Sequence, residues 1–195
     1  IQKFISESDR GLYDAMNKGL KMSTGDVVGI LNSDDVYASS DILEIVAANF
    51  QTKNIDCLFG DLEYVNADDL SKVVRYWRSK EYVKGAFHKG WHPAHPTFFV
   101  KREFYEKYGL FNLELKIAAD YELMLRFLEK YKLKSAYIHK TFVKMRVGGE
   151  SNRSIKNIIQ ANIESYRAWK INDLNVGMWI IFCKPLSKVK QFFLK

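Results

Sequence analysis

The chain has 195 residues, of which 47% are hydrophobic and 14% aromatic, and this composition excludes a disordered protein. Lysine and arginine total 30 against 23 acidic residues, so the formal net charge is +7 and charge favours anionic partners. No apolar run approaches the roughly 20 residues of a membrane span. The two distant cysteines, Cys57 and Cys183, form neither a disulfide framework nor a zinc motif, which favours a reducing, cytoplasmic setting.

Helical and extended patterns alternate along the chain. Helices are predicted at residues 10–22, 41–50, 118–131 and 151–169. Strands are predicted at 27–31, 55–65, 72–78 and 135–147. The segment 135–147 is either two strands or one bent strand. Residues 97–109 are predicted as a strand followed by a helix that ends at Gly109. Residues 27–31 are apolar on both faces, which is typical of a central parallel strand. The order predicts a layered α/β domain.

Two adjacent carboxylates, Asp34 and Asp35, follow the apolar residues 27–31. Ligands of open α/β sheets bind beyond the carboxyl ends of the strands, and two carboxylates held there repel each other unless a cation or a shared proton lies between them. A divalent cation bound by one or two carboxylates and a substrate diphosphate meets this requirement. The alternative is a turn in which one aspartate caps a helix.

A longer pattern precedes this pair. It consists of Asp9, Gly11, Ala15, Asn17 and Gly19, followed by Gly25-Asp26. Residues 6–35 therefore resemble the GT-A glycosyltransferases of family 2, whose cores carry a D-x-G-x-x-x-A-x-N-x-G run before an acidic strand end. The resemblance covers most of residues 5–155 and implies an α/β, Rossmann-like mixed sheet flanked by helices. It also implies that the first strand-helix-strand unit of the family is missing, which would leave an exposed sheet edge.

The resemblance assigns roles to the acidic strand end. It implies Mn²⁺ or Mg²⁺ bound by Asp35 and Asp34, with Asp34 also contacting the nucleotide sugar. Further contacts to the nucleotide sugar are implied for Asp9, Arg10 and Lys18. The family often has aspartate where this chain has Asn32, so the motif carries one charge fewer.

A second acidic position lies at the start of the helix predicted at 118–131. The resemblance implies that Asp120, in the segment Ala118-Ala119-Asp120, is the catalytic base. The free N–H groups and the dipole at a helix N-terminus stabilise an ionised carboxylate there. The alternative is that Asp120 serves only as the helix cap.

The loop 84–97 is rich in histidine, glycine and proline. The resemblance places this loop beside the acceptor, which implies acceptor-side roles for His95 and Trp91. His92 and His95 have no nearby third ligand, and the prolines stiffen the loop, so zinc is not favoured.

Residues 146–154 contain Arg146, Gly148-Gly149 and Arg153, and relatives carry a similar glycine-rich loop after the last core strand. The two arginines are candidates for contacting phosphate, and the alternative is a solvated turn capped by Ser151. The processive Q-x-x-R-W motif is absent, which argues against a polymer synthase.

The sequence predicts a partial catalytic domain at 1–170 and an apolar, basic tail at 171–195. Aromatic residues mixed with lysines in the tail are typical of a peripheral membrane contact at the inner face of the membrane. A helix docked on the domain or on a partner protein is the alternative.

The implied function is inverting transfer from a nucleotide sugar to a sugar or lipid-linked sugar acceptor, in surface polysaccharide or glycoconjugate synthesis. A non-catalytic binding or partner module derived from a truncated transferase remains the alternative. A phosphoryl-transfer enzyme lacks a clear residue set here, and no nucleic-acid partner is expected because no recognition motif is present.

Overall fold

The strands of the chain form a six-stranded mixed sheet with helices packed against it. The computed structural model describes residues 3–147, 155–177 and 179–180. The strands are β1 (Val27–Val28), β2 (Val36–Tyr37), β3 (Cys57–Val65), β4 (Val73–Trp77), β5 (Phe99–Lys101) and β6 (Ser135–Arg146). The helices are α1 (Leu12–Met22), α2 (Ile42–Thr52), α3 (Arg102–Tyr108), α4 (Ala119–Leu125) and α5 (Ile155–Ile171). This architecture confirms the predicted α/β class.

The sheet runs in the order β1-β5-β3-β6-β2, and β4 adds to β3 as a hairpin. Strands β3 and β6 pair in parallel, whereas the other pairs are antiparallel. The segment predicted as a strand pair or one bent strand is the single strand β6, whose register against β3 shifts on both sides of Asp61. Such irregularities bend a strand and redirect its side chains.

The prediction of a central parallel strand at 27–31 is wrong. Only Val27 and Val28 pair, they pair antiparallel with β5, and β1 ends the sheet order. Gly29 leaves the ladder, and a Cβ at this position would lie 2.3 Å from the ring of Phe99. Beyond Gly29, Ile30 still packs against the core, whereas Leu31 is exposed. An open edge does occur at this side of the sheet, and a groove of ≈ 820 Å³ runs between it and α2.

Two hydrophobic clusters form the core, and β3 contributes to both. Cys57 and Phe59 enter one cluster, and Leu58 and Leu62 enter the other. This alternation is expected because successive side chains of a strand point to opposite faces of a sheet. Strand β3 is therefore covered on both faces, as its nearly continuous burial shows.

Helix α4 lies in the first cluster and ends in a widened turn. Residues 126–130 continue it as a π-helical turn, in which the Tyr131 N–H bonds the Arg126 carbonyl at 3.0 Å. The buried Arg126 guanidinium pairs with Glu122 at 3.0 Å and donates to the carbonyls of Tyr108, Gly109 and Leu110. A buried guanidinium needs this many acceptors to offset its lost hydration. The interaction fixes the segment that leads into α4. Within the described residues, no helix combines the length and apolarity needed to cross a bilayer.

Candidate functional site

The pair Asp34 and Asp35 lies in the loop between β1 and β2, and its two members differ in environment. Asp35 is buried and Asp34 is exposed. The Asn32 amide Nδ2 donates to Asp35 Oδ2 at 2.9 Å, and the Asp35 N–H donates to the Asn32 carbonyl at 3.1 Å. Asn32, which removes a charge from the motif, thus orients the carboxylate that follows it.

The second oxygen of Asp35 is what makes this carboxylate a candidate cation ligand. Oδ1 is buried and has no hydrogen-bond partner among the described residues. Burial raises the pKa of Asp35, the Asn32 hydrogen bond opposes that shift, and the Asp34 charge adds to it. A buried oxygen with a free lone pair beside a second carboxylate fits a hard divalent cation that keeps its other positions for water and diphosphate. The described residues offer no cluster of three or more histidine, cysteine or acidic side chains, so such an ion would need ligands from the substrate.

Arg146 at the end of β6 closes this loop from the other side. Its Nη1 donates to the Asp34 carbonyl at 3.0 Å and its Nε donates to the Ala67 carbonyl at 3.0 Å. The backbone N–H of Arg146 and the charge of its guanidinium both lower the pKa of Asp35, against the larger effect of burial. Of the residues predicted in 146–154, Gly148-Gly149, Ser151 and Arg153 lie outside the described residues.

Asp120, the predicted base, is held by α1 rather than used as a helix cap. The residue at the cap position is Ala118, with no side-chain cap bond. Asp120 is half-buried, and its Oδ1 accepts from the Tyr13 hydroxyl at 3.2 Å and from the Tyr121 N–H at 2.7 Å. The same Tyr13 hydroxyl lies 2.8 Å from the Ile117 carbonyl. The single Tyr13 O–H proton is shared between the Ile117 carbonyl and Asp120 Oδ1, so Tyr13 links the carboxylate to the backbone that precedes it.

Helix α5 supports the same backbone from behind. The buried Glu164 carboxylate accepts from the N–H groups of Ile117 and Ala118 at 2.8 and 2.9 Å, and Gln160 donates to its other oxygen at 2.9 Å. Burial raises the pKa of Glu164, but these hydrogen bonds outweigh burial and the net pKa is lowered. Trp169 of the same helix donates to the Tyr121 hydroxyl at 3.0 Å. The start of α4 is thus clamped by polar contacts on two sides.

The phenol of Tyr64, at the end of β3, is affected by the charges of both Asp35 and Asp120. Burial is the main cause of the raised pKa of its phenol, and the charges of Asp120 and Asp35 raise it further. Both carboxylates therefore act on the same hydroxyl. The Arg75 guanidinium lies 3.7 Å from the centroid of the Tyr64 ring and opposes these shifts, and Trp77 stacks on that ring at 6.4 Å.

Tyr13, Tyr64, Arg75 and Glu164 were not singled out from the sequence. Tyr13 and Glu164 are single polar side chains on helices, and no local pattern separates them from surface residues. Tyr64 and Arg75 face each other in the β3–β4 register. Alternation along the two hairpin strands was the signal that would have paired them.

His95 and Trp91, the predicted acceptor-side residues, are mostly enclosed by aromatic rings. His95 is buried and meets Phe111 edge-on at 5.5 Å. Burial lowers the pKa of His95, and the Asp120 charge opposes that shift. The Trp91 ring packs near Phe59 and Tyr82, and its Nε1 is buried with no hydrogen-bond partner in the described structure. The Asp120 charge therefore acts on the His95 ring.

The three predicted nucleotide contacts at the N-terminus lie together but engage acidic neighbours. Lys18 Nζ bonds Asp9 at 2.6 Å and Glu7 at 2.8 Å, and these bonds raise the pKa of the lysine. Arg10 pairs with Asp14 at 3.3 Å. Asp9 and Lys18 line a cleft of ≈ 520 Å³ between residues 3–9 and α1. Asp35 and Asp120 do not line this cleft, and the nucleotide contacts of Asp9, Arg10 and Lys18 stay predictions.

Comparison with known proteins places the chain in a family and identifies relatives. The family model described as glycosyl transferase family 2 matches residues 1–109. A PGL/p-HBAD biosynthesis glycosyltransferase of Mycobacterium bovis is 26% identical over 141 residues, which are 68% of this chain and 50% of that protein. An uncharacterized glycosyltransferase of Mycobacterium tuberculosis is 28% identical over 130 residues, 62% of this chain and 45% of its own length. The chain thus spans about half the length of the curated relatives it matches.

Solved structures show the same fold. S. aureus TarS 1–349 in complex with UDP-GlcNAc superposes with a TM-score of 0.62 at 15% identity, covering 95% of this chain and 55% of that one. TarS 1–349 in complex with UDP gives 0.54 at 16% identity, covering 92% and 52%. At this identity the similarity establishes the fold, and it agrees with the mixed sheet flanked by helices.

Proposed function

The chain belongs to glycosyl transferase family 2, and we propose that it takes part in inverting transfer of a sugar from a nucleotide-sugar donor to an acceptor hydroxyl. The observation that carries the proposal is the match of the glycosyl transferase family 2 model to residues 1–109. The charges of Asp120 and Asp35 both raise the pKa of the Tyr64 phenol, which agrees with a base candidate and a cation-binding candidate near the same ring. A transferase needs both close to the anomeric carbon. The TarS complexes with UDP and UDP-GlcNAc support a nucleotide-sugar donor.

Asp120 is the proposed general base. Its Oδ1 is committed to Tyr13 and Tyr121, and no further bond to Oδ2 is seen in the described residues. In the proposed step the acceptor O–H gives its proton to Asp120, and the acceptor oxygen forms a bond to the anomeric carbon. The bond from that carbon to the diphosphate oxygen breaks, and the electron pair leaves with the nucleoside diphosphate. Attack on the face opposite the leaving group inverts the configuration.

The proposed cofactor is Mn²⁺ or Mg²⁺, held by Asp35 with Asp34. Bound there, such an ion neutralises charge that develops on the leaving diphosphate. The residues of the chain contribute in two other ways. Asn32 keeps Asp35 Oδ2 engaged so that Oδ1 remains available, and Arg146 fixes the Asp34 backbone.

The acceptor and the biological setting are proposals as well. The mycobacterial relative is named for PGL/p-HBAD biosynthesis, which supports a biosynthetic role, and the proposed acceptor is a sugar or a lipid-linked sugar. His95 lies within electrostatic range of Asp120 and is the stronger of the two acceptor-side candidates. Trp91 would contribute an apolar ring wall with one free N–H donor.

The test compares Asp120→Asn with the exposed control Asp68→Asn. Product formation from UDP-, GDP- and dTDP-sugars is measured with Mn²⁺ or Mg²⁺ present, and nucleotide binding is measured separately by calorimetry. Loss of a general base is expected to reduce turnover by about 10²–10⁴-fold, with nucleotide affinity nearly unchanged. A turnover rate for Asp120→Asn equal to that of Asp68→Asn would remove Asp120 from this role.

A binding module without catalysis is the second candidate. The groove of ≈ 820 Å³ along β1 and α2 favours it, because Leu43 and Phe50 line that groove next to the open sheet edge. Under this hypothesis nucleotide or partner binding persists while no donor supports turnover. The turnover measurement on wild type, taken together with nucleotide binding, therefore separates the two candidates.

A further inference from the structure

Asp61 of β3 is a buried carboxylate that uses only one of its two oxygens. Oδ1 accepts from the Ser79 N–H at 2.6 Å and from the Tyr137 hydroxyl at 2.9 Å. No bond to Oδ2 is seen within the described part of the chain, and Oδ2 is not one of the fully enclosed side-chain atoms that lack a partner there. The residue keeps 8% of its surface exposed. Oδ2 therefore reaches the surface on a carboxylate that is otherwise fixed, and it can accept a hydrogen bond from a ligand.

Two polar atoms next to Asp61, Ser79 Oγ and Trp91 Nε1, are enclosed and have no hydrogen-bond partner among the described residues. Ser79 adjoins Asp61 through its N–H bond. The centroid of the Phe59 ring lies 6.0 Å from that of Trp91 and 6.0 Å from that of Tyr137, whose hydroxyl donates to Asp61. Buried hydroxyl and indole N–H groups normally have a partner. Two such atoms beside an open carboxylate oxygen indicate a polar ligand, and neither atom has a protein hydrogen bond to break when the ligand binds.

The charges around Asp61 favour a neutral ligand. The carboxylate itself repels an anion. Burial raises the pKa of Asp61, and the charges of His139 and Arg78 oppose that shift, so positive charge already lies near the carboxylate and disfavours a further cation. A neutral ligand must donate to Asp61 and accept from Ser79 and Trp91. Hydroxyl groups do both, and a sugar ring carries several of them.

We propose that Asp61, Ser79 and Trp91 form a subsite that binds a sugar ring of the acceptor through its hydroxyls. The assignment of this ring to the acceptor rests on the proposed transfer reaction, whereas sugar binding by the subsite does not. A small number of polar groups among aromatic side chains is typical of a site that recognises a small polar ligand. A site built to bond hydroxyls also rejects ligands that lack them, so the subsite would contribute to the choice of acceptor.

Aromatic contacts connect the subsite to the start of α4. Trp91 and Tyr137 both pack against the core cluster that contains α4. The Trp91 ring lies 6.5 Å from Phe87, and Phe87 lies 5.5 Å from Tyr121, which directly follows Asp120. Two ring-to-ring contacts thus separate the subsite from the residue after the proposed base. This separation suits an acceptor ring beyond the one whose hydroxyl reacts.

The test is calorimetric binding of simple glycosides to the 195-residue chain. The probes are the p-nitrophenyl α- and β-glycosides of glucose, galactose, mannose and N-acetylglucosamine, each with and without UDP and Mn²⁺. Asp61→Asn keeps an oxygen for the Ser79 and Tyr137 donors but replaces the open oxygen by an amide nitrogen. Asp56→Asn is the matched control, because Asp56, which precedes β3, also accepts a backbone N–H, that of Lys134 at 2.9 Å. Ser79→Ala removes only the hydroxyl without a partner, and thermal melts verify that each variant is folded.

Wild type is expected to bind at least one of these glycosides. Asp61→Asn should bind it on the order of tenfold more weakly, because a hydrogen bond to a charged acceptor is lost, and Asp56→Asn should bind as wild type does. Ser79→Ala should bind about three- to tenfold more weakly without a fall in Tm. A purely structural role of these residues would not weaken glycoside binding at unchanged Tm.

No binding of any glycoside by wild type would overturn the proposal, as would equal affinities of Asp61→Asn and wild type. A rise in Tm with Ca²⁺ or Mg²⁺ that Asp61→Asn abolishes and Asp35→Asn does not would assign the Asp61 carboxylate to a metal ion and would also overturn it. Asp61-dependent glycoside binding by a chain that transfers sugar from no donor would support the subsite and contradict the transfer reaction.

Discussion

Replacing Asp35 by asparagine separates the cation-binding role of this carboxylate from its structural role. Asp35 is buried with Oδ1 unpaired, and leaving a buried polar group unpaired costs about 1–3 kcal/mol. Burial raises the pKa of Asp35 above the ordinary value of 3.8. A raised carboxyl pKa stabilises the fold at low pH, where the group is protonated in both states, and that contribution is lost as the pH rises. Asparagine keeps a polar atom at the unpaired position but removes the buried charge, so without a divalent ion Asp35→Asn should be more stable than wild type at neutral pH by about 1–2 kcal/mol.

In a chain of this length, that gain corresponds to a rise in Tm of about 2–8 °C. The advantage should shrink as the pH is lowered toward 3.8, where wild-type Asp35 is itself largely neutral. Adding Mn²⁺ or Mg²⁺ should reverse the order. At a concentration of about 100 times Kd, a bound ion stabilises wild type by about 2.7 kcal/mol, or about 5–11 °C. The variant lacks this shift because an amide oxygen carries no charge to attract the ion.

The assay is differential scanning fluorimetry across pH and across Mn²⁺ and Mg²⁺ concentrations, with and without UDP. Asp68→Asn removes an exposed carboxylate and should follow wild type under every condition. Equal cation-dependent shifts in wild type and Asp35→Asn would refute the assignment of Asp35 as a cation ligand. Wild type that melts above Asp35→Asn in the absence of ions would refute the burial argument.

Three further substitutions test the support of Asp120 and α4. Tyr13→Phe removes the hydroxyl that donates to Asp120 Oδ1, so kcat should fall about tenfold with KM little changed. Steady-state kinetics measures both constants, and an unchanged kcat would show that the Tyr13 hydroxyl does not position the base. Glu164→Gln should reduce Tm most at neutral pH. The pKa of Glu164 is lowered in the folded state, so its ionised form stabilises the fold above pH 4.5, the ordinary pKa of glutamate, and this contribution is lost as the pH falls through the lowered pKa. Thermal melts across pH measure the effect, and a Tm difference that does not change with pH would contradict it. Arg126→Met leaves Glu122 buried without its partner and should cost about 3–5 kcal/mol in urea unfolding, while the exposed Arg10→Met should cost less than about 1 kcal/mol.

Local patterns in the sequence predicted the helices and strands well where burial and periodicity agree. Strand β3 was predicted at 55–65 and is Cys57–Val65, and the helix predicted at 41–50 is Ile42–Thr52. The strand predicted at 27–31 shows the limit. Its apolar residues match either a central or an edge strand, and the choice is made by β5, which lies more than 70 residues away along the chain. A local apolar run contains no information about that partner.

The sequence predicted the acidic residues of the candidate site but not the residues that hold them in position. Asp35 and Asp120 stand in recognisable patterns, and the structure gives Asp35 a buried, unpaired oxygen and Asp120 a hydroxyl donor. Alternation along β3 puts Tyr64 on the same face as Leu58 and Leu62, as the structure shows. No local pattern distinguishes Tyr64 from those core residues, so the sequence alone does not mark it as a site residue. The register of β3 against β6, which is irregular on both sides of Asp61, decides which residues lie beside it.

Separate parts of the chain hold Asp35 and Asp120 in position, and strand β3 lies next to both parts. Asp120 is held by Tyr13 of α1 and, through the backbone before it, by Glu164 of α5. The loop of Asp35 is held by Arg146 at the end of β6, and β6 pairs with β3 along most of its length. The charges of both carboxylates raise the pKa of the Tyr64 phenol at the end of β3. The irregular pairing around Asp61 sets where the end of β6 lies along β3, so a regular ladder there would shift Arg146, and the Asp35 loop that Arg146 contacts, relative to Tyr64.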